Sequence, residues 1–311
     1  MNFNKITDKI IEYSFYLLFF LVPLIMTPWN FELFEYNKMM LVYALTVVIV
    51  GAWLTKWLTG SDPVKRIHIQ QTPFDIPIIL FFLSQLLSSI FSIDRHTSLF
   101  GYYSRFHGGL FSTISYLLLY YALVSNFDKR KALNSIRCLL VAGFLVSLYG
   151  ILEHFGIDAK FWVQDVQNRV FSTLGQPNWL AAFLAALIPI PIALAINSKF
   201  QAPNSKIFFL ASSFTLLVFI VCLLFTKSRS GIPAAGFSLI FFFFLVSLPK
   251  IRQLKKQFLI LLISLIPLIS LMTIFLGIKF LFKNPAQDLA YILDLSDKVS
   301  IPLHRVQDPG S

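Results

Sequence analysis

Two short polar segments of the chain combine an arginine with the start of a predicted helix. The first covers Arg169–Ala181 and reads RVFSTLGQPNWLA, and the second covers Thr226–Gly231 and reads TKSRSG. A guanidinium donates two parallel N–H groups to a phosphate, and the free N–H groups of a helix N-terminus attract the same kind of anion. We therefore predict that Arg169 and Arg229 bind one anionic ligand together, if both segments lie on the same side of a membrane.

The residues beside the two arginines extend this prediction. A helix is predicted to open at Pro177, because proline is favoured in the first helical turn. Ser230 is predicted to be the N-cap of the next helix, since a serine hydroxyl accepts a free N–H group there. Gln176, Asn178 and Ser230 are therefore further candidates for substrate binding.

The composition is that of a membrane protein. Of the 311 residues, 57% are hydrophobic, 13% are charged and 34 are Phe, which is more apolar surface than one soluble core can bury. Segments of about 20 apolar residues cross a bilayer as helices. We predict an all-α fold, a polytopic integral membrane bundle of nine transmembrane helices. The predicted spans are Ile10–Met26, Met39–Leu58, Phe74–Ile93, Gly108–Val124, Ala132–Phe155, Trp179–Ile196, Ile207–Phe225, Ile232–Leu248 and Phe258–Phe282.

The distribution of Lys and Arg predicts the orientation of these spans. With the N-terminus in the cytoplasm, fifteen of the 26 basic residues lie inside and four lie in the C-terminal tail. The remaining seven lie outside, and they are Lys38, Arg95, Arg105, Lys160, Arg169, Lys227 and Arg229. This asymmetry follows the positive-inside rule and places the tail outside. Residues 1–282 then form the transmembrane bundle, and residues 283–311 form a tail on the outer side.

A third outward loop carries a basic residue beside a histidine. It reads GYYSRFHGG around Arg105 and His107. For a single outward arginine, contact with lipid headgroups is the ordinary explanation. Because three such loops face outward, we favour a binding site for a pyrophosphate, whose charge the cations stabilise as it leaves. Arg105 and His107 are therefore candidate substrate-binding residues.

Other polar residues suggest ordinary structural roles. Glu153 and His154 are expected to form an interfacial pair at the outer end of the fifth span. Trp162 and Trp179 are expected in the interfacial aromatic belt, with stacking on a sugar ring as the alternative. No residues have the spacing of a zinc site or a nucleotide-binding loop, so we predict no metal and no cofactor. The net charge of +11 is attributed to the basic residues that set the membrane topology, so no nucleic-acid partner is predicted.

The two arginine segments and the order of spans resemble the O-antigen ligase and O-antigen polymerase superfamily, which includes protein O-oligosaccharyltransferases. The resemblance implies a bacterial inner-membrane glycosyltransferase of cell-envelope polysaccharide, lipopolysaccharide or glycoprotein biosynthesis. Its members transfer a glycan from undecaprenyl diphosphate to an acceptor hydroxyl on a glycolipid, glycan or protein at the outer face. The acceptor and the choice between ligase and polymerase stay open.

The resemblance also implies roles for individual residues. Arg169 and Arg229 match the outward arginines that contact the diphosphate in the family. The resemblance implies that residues 283–311 begin a large periplasmic or extracellular loop. The family's catalytic histidine lies deep in that loop, so we expect it beyond Ser311 and expect this chain to be an incomplete, inactive fragment. A transporter or flippase for an anionic lipid or solute is the alternative from a different class. Such proteins carry charges at mid-membrane, and the predicted spans have none there.

Overall fold

The computed structural model describes residues 3–27, 32–59, 69–102, 105–201 and 205–251. Over these residues the chain is helical, with one isolated bridge between Tyr102 and Arg105 and no β-strand. The α-helices are α1 (Phe3–Leu24), α2 (Glu35–Thr59), α3 (Asp75–Ile90), α4 (Arg95–Phe100), α5 (Leu110–Asn126), α6 (Lys129–His154), α7 (Pro177–Leu187), α8 (Pro189–Gln201), α9 (Ser205–Phe225) and α10 (Gly231–Ile251). The predicted all-α class is therefore confirmed for the described residues.

The first eight predicted spans overlap these helices, but α1, which overlaps the first of them, is not among the helices that qualify as membrane spans. Among the described residues, four stretches are long and apolar enough to cross a membrane, and they are Glu35–Thr59, Lys129–His154, Pro177–Ile196 and Lys206–Phe225. Three further apolar helices are shorter, and they are Asp75–Ile90, Leu110–Asn126 and Gly231–Ser247. The predicted ninth span, Phe258–Phe282, and the predicted outward segment 283–311 lie outside the described residues. The count of nine spans and their orientation stay predictions.

The sixth predicted span is divided into two helices. α7 ends at Leu187 and α8 begins at Pro189, with the buried Ile188 between them. Pro189 and Pro191 cause the division, because a proline has no N–H to donate to the preceding turn. The N–H of Ile188 still donates to the carbonyl of Leu184 at 2.9 Å, so the chain continues in nearly the same path.

Residues 3–238 belong to one compact unit whose core lies between neighbouring helices. α1, α2 and α5 share an apolar cluster that consists of Ile11, Phe15, Met39, Val42, Ile49, Ala52, Leu119 and Ala122. α6 packs against α9 at Gly150, where a Cβ atom would lie 3.0 Å from the sulfur of Cys222. Small residues at helix contacts let two backbones approach closely, which is how membrane helices associate.

The alternating helix directions bring the three arginine-bearing segments to one end of this unit. We call this end the loop end; it comprises the described residues of 25–34, 91–109, 155–176 and 226–230. The Thr173 hydroxyl donates to the Pro23 carbonyl at 2.7 Å, and the Val170 N–H donates to the Phe225 carbonyl at 3.3 Å. At the opposite end, the Lys56 ammonium donates to Asp8 at 2.6 Å and to Asn126 at 3.0 Å.

Thiol labelling tests whether the loop end faces outward. In a Cys138→Ala background, cysteine at Val163 or Ser230 is expected to react with a membrane-impermeant maleimide in intact cells. Cysteine at Arg130, at the opposite end, is expected to react only after the cells are permeabilised. All three positions are exposed, whereas Cys222 is buried and gives no background. Labelling of the Arg130 position alone would reverse the orientation derived from the basic residues.

Candidate ligand-binding site

Arg169 joins the two predicted phosphate-binding segments. Its Nε donates to the carbonyl of Thr226 at 3.2 Å, and its Nη2 donates to Oδ1 of Asn178 at 3.4 Å. The side chain is nevertheless exposed, and its Nη1 group takes part in neither bond. These two bonds fix the plane of the guanidinium and leave one edge of it for a ligand. The Arg169–Ala181 and Thr226–Gly231 segments therefore lie next to each other, as expected.

Asn178 connects the same two segments from the first turn of α7. Its Oδ1 also accepts the hydroxyl of Ser228 at 2.9 Å. Lys227 adds a further link, because its ammonium donates to Oδ1 of Asn168 at 2.5 Å. Arg229 and Ser230 are exposed beside this junction. Both segments therefore form one basic surface at the loop end, which we call the arginine surface and which consists of Arg169, Asn178, Lys227, Arg229 and Ser230.

The predicted N-cap at Ser230 is wrong. The side chain that accepts the first N–H group of α10 belongs to Ser228, whose Oγ lies 3.1 Å from the N of Gly231. Ser228 is fully buried, whereas Ser230 is exposed. The reason is the tight turn at Lys227, whose φ of 46° is in the left-handed region and turns the chain back so that Ser228 lies under the helix end. Pro233 lies in the first turn of α10, where a proline is tolerated.

A close helix contact holds the arginine surface together. A Cβ atom on Gly231 would lie 2.2 Å from the Cβ of Ala181, so the starts of α7 and α10 approach more closely than any larger residue permits. α7 begins at Pro177 as predicted. Gln176 precedes it without a side-chain cap, and its carbonyl accepts the N–H groups of Trp179 and Leu180 at 3.1 and 3.0 Å. Gln176 therefore positions α7 through its backbone.

A buried carboxylate supports the segment that follows Arg169. Glu153 is fully buried at the end of α6, and its Oε2 accepts the N–H groups of Phe171 and Ser172 at 2.9 and 2.8 Å. The expected interfacial pair of Glu153 and His154 is wrong. His154 instead stacks on Phe225, with ring centroids 3.9 Å apart. Consecutive residues on a helix point in different directions, which is why these two side chains have separate partners.

The two tryptophans that flank the Arg169 segment have different environments. The Trp162 indole donates to Oδ2 of Asp158 at 2.6 Å, and its ring packs on Phe34 and Phe171 with centroids 5.5 and 5.1 Å apart. Trp162 is therefore part of the packing of this loop. Trp179 is 39% exposed and lines a cavity next to the arginine surface. Of these two tryptophans, Trp179 has a face available to a ligand.

The cavity has a volume of about 520 Å³ and lies between α2, α5, the 105–109 segment and the start of α7. It contains two of the predicted binding residues, Arg105 and His107. Its walls are formed by Val22, Glu35, Lys38, Met39, Val42, Arg105, His107, Tyr116, Leu174 and Trp179. Arg105 thus lies in this cavity rather than among the residues that join Arg169 to the 226–230 turn.

Three polar residues of the cavity were not predicted from the sequence. Oε1 of the Glu35 carboxylate contacts Nδ1 of the His107 imidazole. The Lys38 ammonium donates to the carbonyls of Ile25 at 2.5 Å and Thr173 at 2.9 Å. The Tyr116 hydroxyl lies 3.2 Å from the sulfur of Met39. A signal was available in the sequence, because Glu35 and Lys38 are charged, three residues apart and next to an apolar run, and so share a helix face.

Gly101 and Gly109 lie close together at the two ends of the segment that contains Arg105 and His107. Gly101 has a φ of 91°, and a Cβ atom on Gly109 would lie 2.5 Å from the N of Gly101. The chain thus closes on itself, and the carbonyl of Phe106 accepts the Ser112 hydroxyl at 2.5 Å. Upstream, the N–H and hydroxyl of Thr97 donate to Asp94 at the start of α4 and lower the pKa of that carboxyl. These local contacts position Arg105 and His107.

Comparisons of the chain with protein-family models, with curated proteins and with solved structures found no match.

Proposed function

We propose that the chain is an O-antigen ligase-like or polymerase-like membrane glycosyltransferase that binds undecaprenyl diphosphate at the arginine surface. Such an enzyme transfers the carrier-linked glycan to an acceptor hydroxyl at the outer face of the bacterial inner membrane. The observation that carries the proposal is the junction at Asn178, which Arg169 and Ser228 both reach as donors. Through this junction, two segments separated by some fifty residues support one basic surface.

The chemistry of the surface suits a diphosphate. Arg169 retains donors that its two protein bonds do not use, and Lys227 and Arg229 bring further positive charge to the neighbouring turn. A diphosphate leaving group accumulates negative charge as the bond to the sugar breaks, and fixed cations stabilise that charge. The adjacent apolar helices α7 and α9 provide a surface for the polyprenyl chain.

The two-pronged geometry of the arginine side chain predicts how substitutions change the affinity for undecaprenyl diphosphate. Each charge-assisted contact is worth about 1.5–3 kcal/mol, so Arg169→Ala or Arg229→Ala is expected to weaken binding of undecaprenyl diphosphate roughly ten- to hundredfold. The affinity of Arg229→Lys for undecaprenyl diphosphate should lie between those of wild type and Arg229→Ala, because lysine keeps the charge but loses the two-pronged geometry. The measurement is titration of the purified full chain in nanodiscs with undecaprenyl diphosphate.

Lys160→Ala is the matched control, because Lys160 is an exposed cation of the same loop outside the arginine surface. Its carrier affinity is expected to equal that of wild type. Arginines that only contact lipid headgroups would tolerate lysine fully. Equal affinities for wild type, Arg169→Ala and Arg229→Ala would reject the proposed carrier site.

A further inference from the structure

An open hollow lies on the first turns of α6, at the end of the unit opposite to the loop end. It has a volume of about 300 Å³ and is lined by Lys129, Arg130, Leu133, Asn134 and Arg137. We call it the basic hollow, because its lining contains three cations and no acidic side chain. All three cations belong to exposed residues. The basic hollow thus concentrates positive charge at one end of a helix that is long and apolar enough to cross a membrane.

One arginine of the basic hollow is held in a fixed orientation. Nη1 of Arg137 donates to Oδ1 of Asn134 at 3.0 Å, and Nδ2 of Asn134 donates to the hydroxyl of Tyr16 in α1 at 3.4 Å. These bonds use neither Nε nor Nη2 of Arg137. The edge of the guanidinium that carries these two nitrogens is therefore available for two parallel bonds to a phosphate.

The neighbouring acidic side chains bond to groups outside the basic hollow. Asp128 caps α6, because its carboxylate accepts the N–H of Lys131 at 2.8 Å. Glu12 of α1 accepts the hydroxyl of Tyr16 at 2.7 Å and lies 3.9 Å from the ammonium of Lys131. Within the part of the chain that the structure describes, no carboxylate forms an ion pair with the three cations of the basic hollow. Their charge is therefore available to an external anion.

An exposed apolar stripe continues from the basic hollow along the same face of α6. Arg130 and Leu148 are about five helical turns apart, and Arg137 and Val141 lie between them at nearly the same angle around the helix axis. Val141 and Leu148 are 52% and 40% exposed, and Leu133 in the basic hollow is 39% exposed. A molecule on this face would therefore meet cations at its polar end and apolar side chains along its length.

We propose that the basic hollow is a binding site for an anionic phospholipid, with the phosphate on Arg130 and Arg137 and an acyl chain along Val141 and Leu148. The occupant is a lipid and not a soluble phosphate compound, because the apolar stripe begins where the cations end. Basic residues at the end of a membrane-spanning helix attract anionic headgroups. The basic hollow and the arginine surface are at opposite ends of the unit, so this inference goes beyond the proposed function and does not depend on it.

The test titrates the purified full chain in detergent micelles with dioctanoyl phosphatidylglycerol and measures the affinity by microscale thermophoresis. Dioctanoyl phosphatidylcholine has the same acyl chains and no net charge, so it is expected to bind about tenfold or more weakly. Glycerol phosphate keeps the charge and has no acyl chain, so it is also expected to bind about tenfold or more weakly, because the contacts with the apolar stripe are lost. These two probes separate a lipid from a soluble phosphate compound.

Substitutions in the basic hollow test the location of the site. Arg130→Gln and Arg137→Gln are each expected to weaken binding of phosphatidylglycerol about fivefold, which corresponds to about 1 kcal/mol for one basic residue near a membrane surface. The affinity of Arg137→Lys should lie between those of wild type and Arg137→Gln, because lysine keeps the charge but loses the two-pronged edge. Lys206→Gln is the matched control, at an exposed cation near the start of α9 that does not line the basic hollow, and its affinity should equal that of wild type.

Three outcomes would overturn the proposed lipid site. The first is an equal affinity of wild type and the Arg130→Gln, Arg137→Gln double variant for phosphatidylglycerol. The second is an equal loss of affinity in Lys206→Gln and Arg137→Gln, which would show attraction by the total positive charge of the chain. The third is binding of glycerol phosphate as tight as that of phosphatidylglycerol, which would assign the basic hollow to a soluble phosphate compound. Because Arg130 and Arg137 are exposed, all variants are expected to unfold at the wild-type temperature.

Discussion

Glu153→Ala is expected to lower the free energy of unfolding by about 2–6 kcal/mol, because it leaves two buried N–H groups without an acceptor and each costs about 1–3 kcal/mol. The groups belong to Phe171 and Ser172, which follow Arg169 in the chain. The substitution also removes most of a fully buried side chain and creates a cavity. Denaturant unfolding of the full chain in detergent micelles measures the change.

Glu153→Gln is the matched control for this prediction. A glutamine keeps the size of the side chain and one carbonyl oxygen for the two N–H groups, so the loss of stability should be less than half that of alanine. Phe171 and Ser172, which Glu153 binds, belong to the segment that follows Arg169. Glu153→Ala should therefore also weaken binding of undecaprenyl diphosphate. An alanine variant as stable as wild type would show that Glu153 does not support this segment.

Gly231→Ala is expected to separate the starts of α7 and α10 and to destabilise the chain by about 1–3 kcal/mol, as overpacking does. The added methyl carbon would lie 2.2 Å from the Cβ of Ala181 and 3.0 Å from the hydroxyl oxygen of Ser228. Since Ser228 donates to Asn178, the displacement reaches the junction of the arginine surface. Carrier affinity is expected to fall together with stability.

Two further variants make the Gly231 prediction specific. Gly236→Ala lies in the same helix, and its added carbon would meet no atom within 4 Å, so it should be neutral or stabilise by up to about 1 kcal/mol through helix propensity. Ala181→Gly combined with Gly231→Ala should recover part of the lost stability and affinity, because it removes the opposing methyl group. The absence of any difference between Gly231→Ala and Gly236→Ala would contradict a close contact at this point.

The positions of the helices were predictable from the sequence because they depend on local composition. Apolar runs of span length predicted α2, α6 and α9 to within a few residues, and Pro177 marked the start of α7. The break at Ile188 also has a local cause, in Pro189 and Pro191. The pairing of Arg169 with Arg229 stays a prediction, made because each is a cation in a short segment that ends in a predicted helix start.

Only the tertiary structure determines which polar groups contact each other. The bond from Arg169 to Thr226, the support of Phe171 and Ser172 by Glu153, and the contact of Glu35 with His107 all join residues from different elements. Neither hydrophobic periodicity nor the distribution of basic residues contains this information, because both describe how a helix meets the membrane and not which helix is its neighbour. The N-cap of α10 shows that even contacts between near neighbours depend on the fold. Ser228 is the cap, and Ser230 is not, because the turn at Lys227 buries the Ser228 hydroxyl under Gly231.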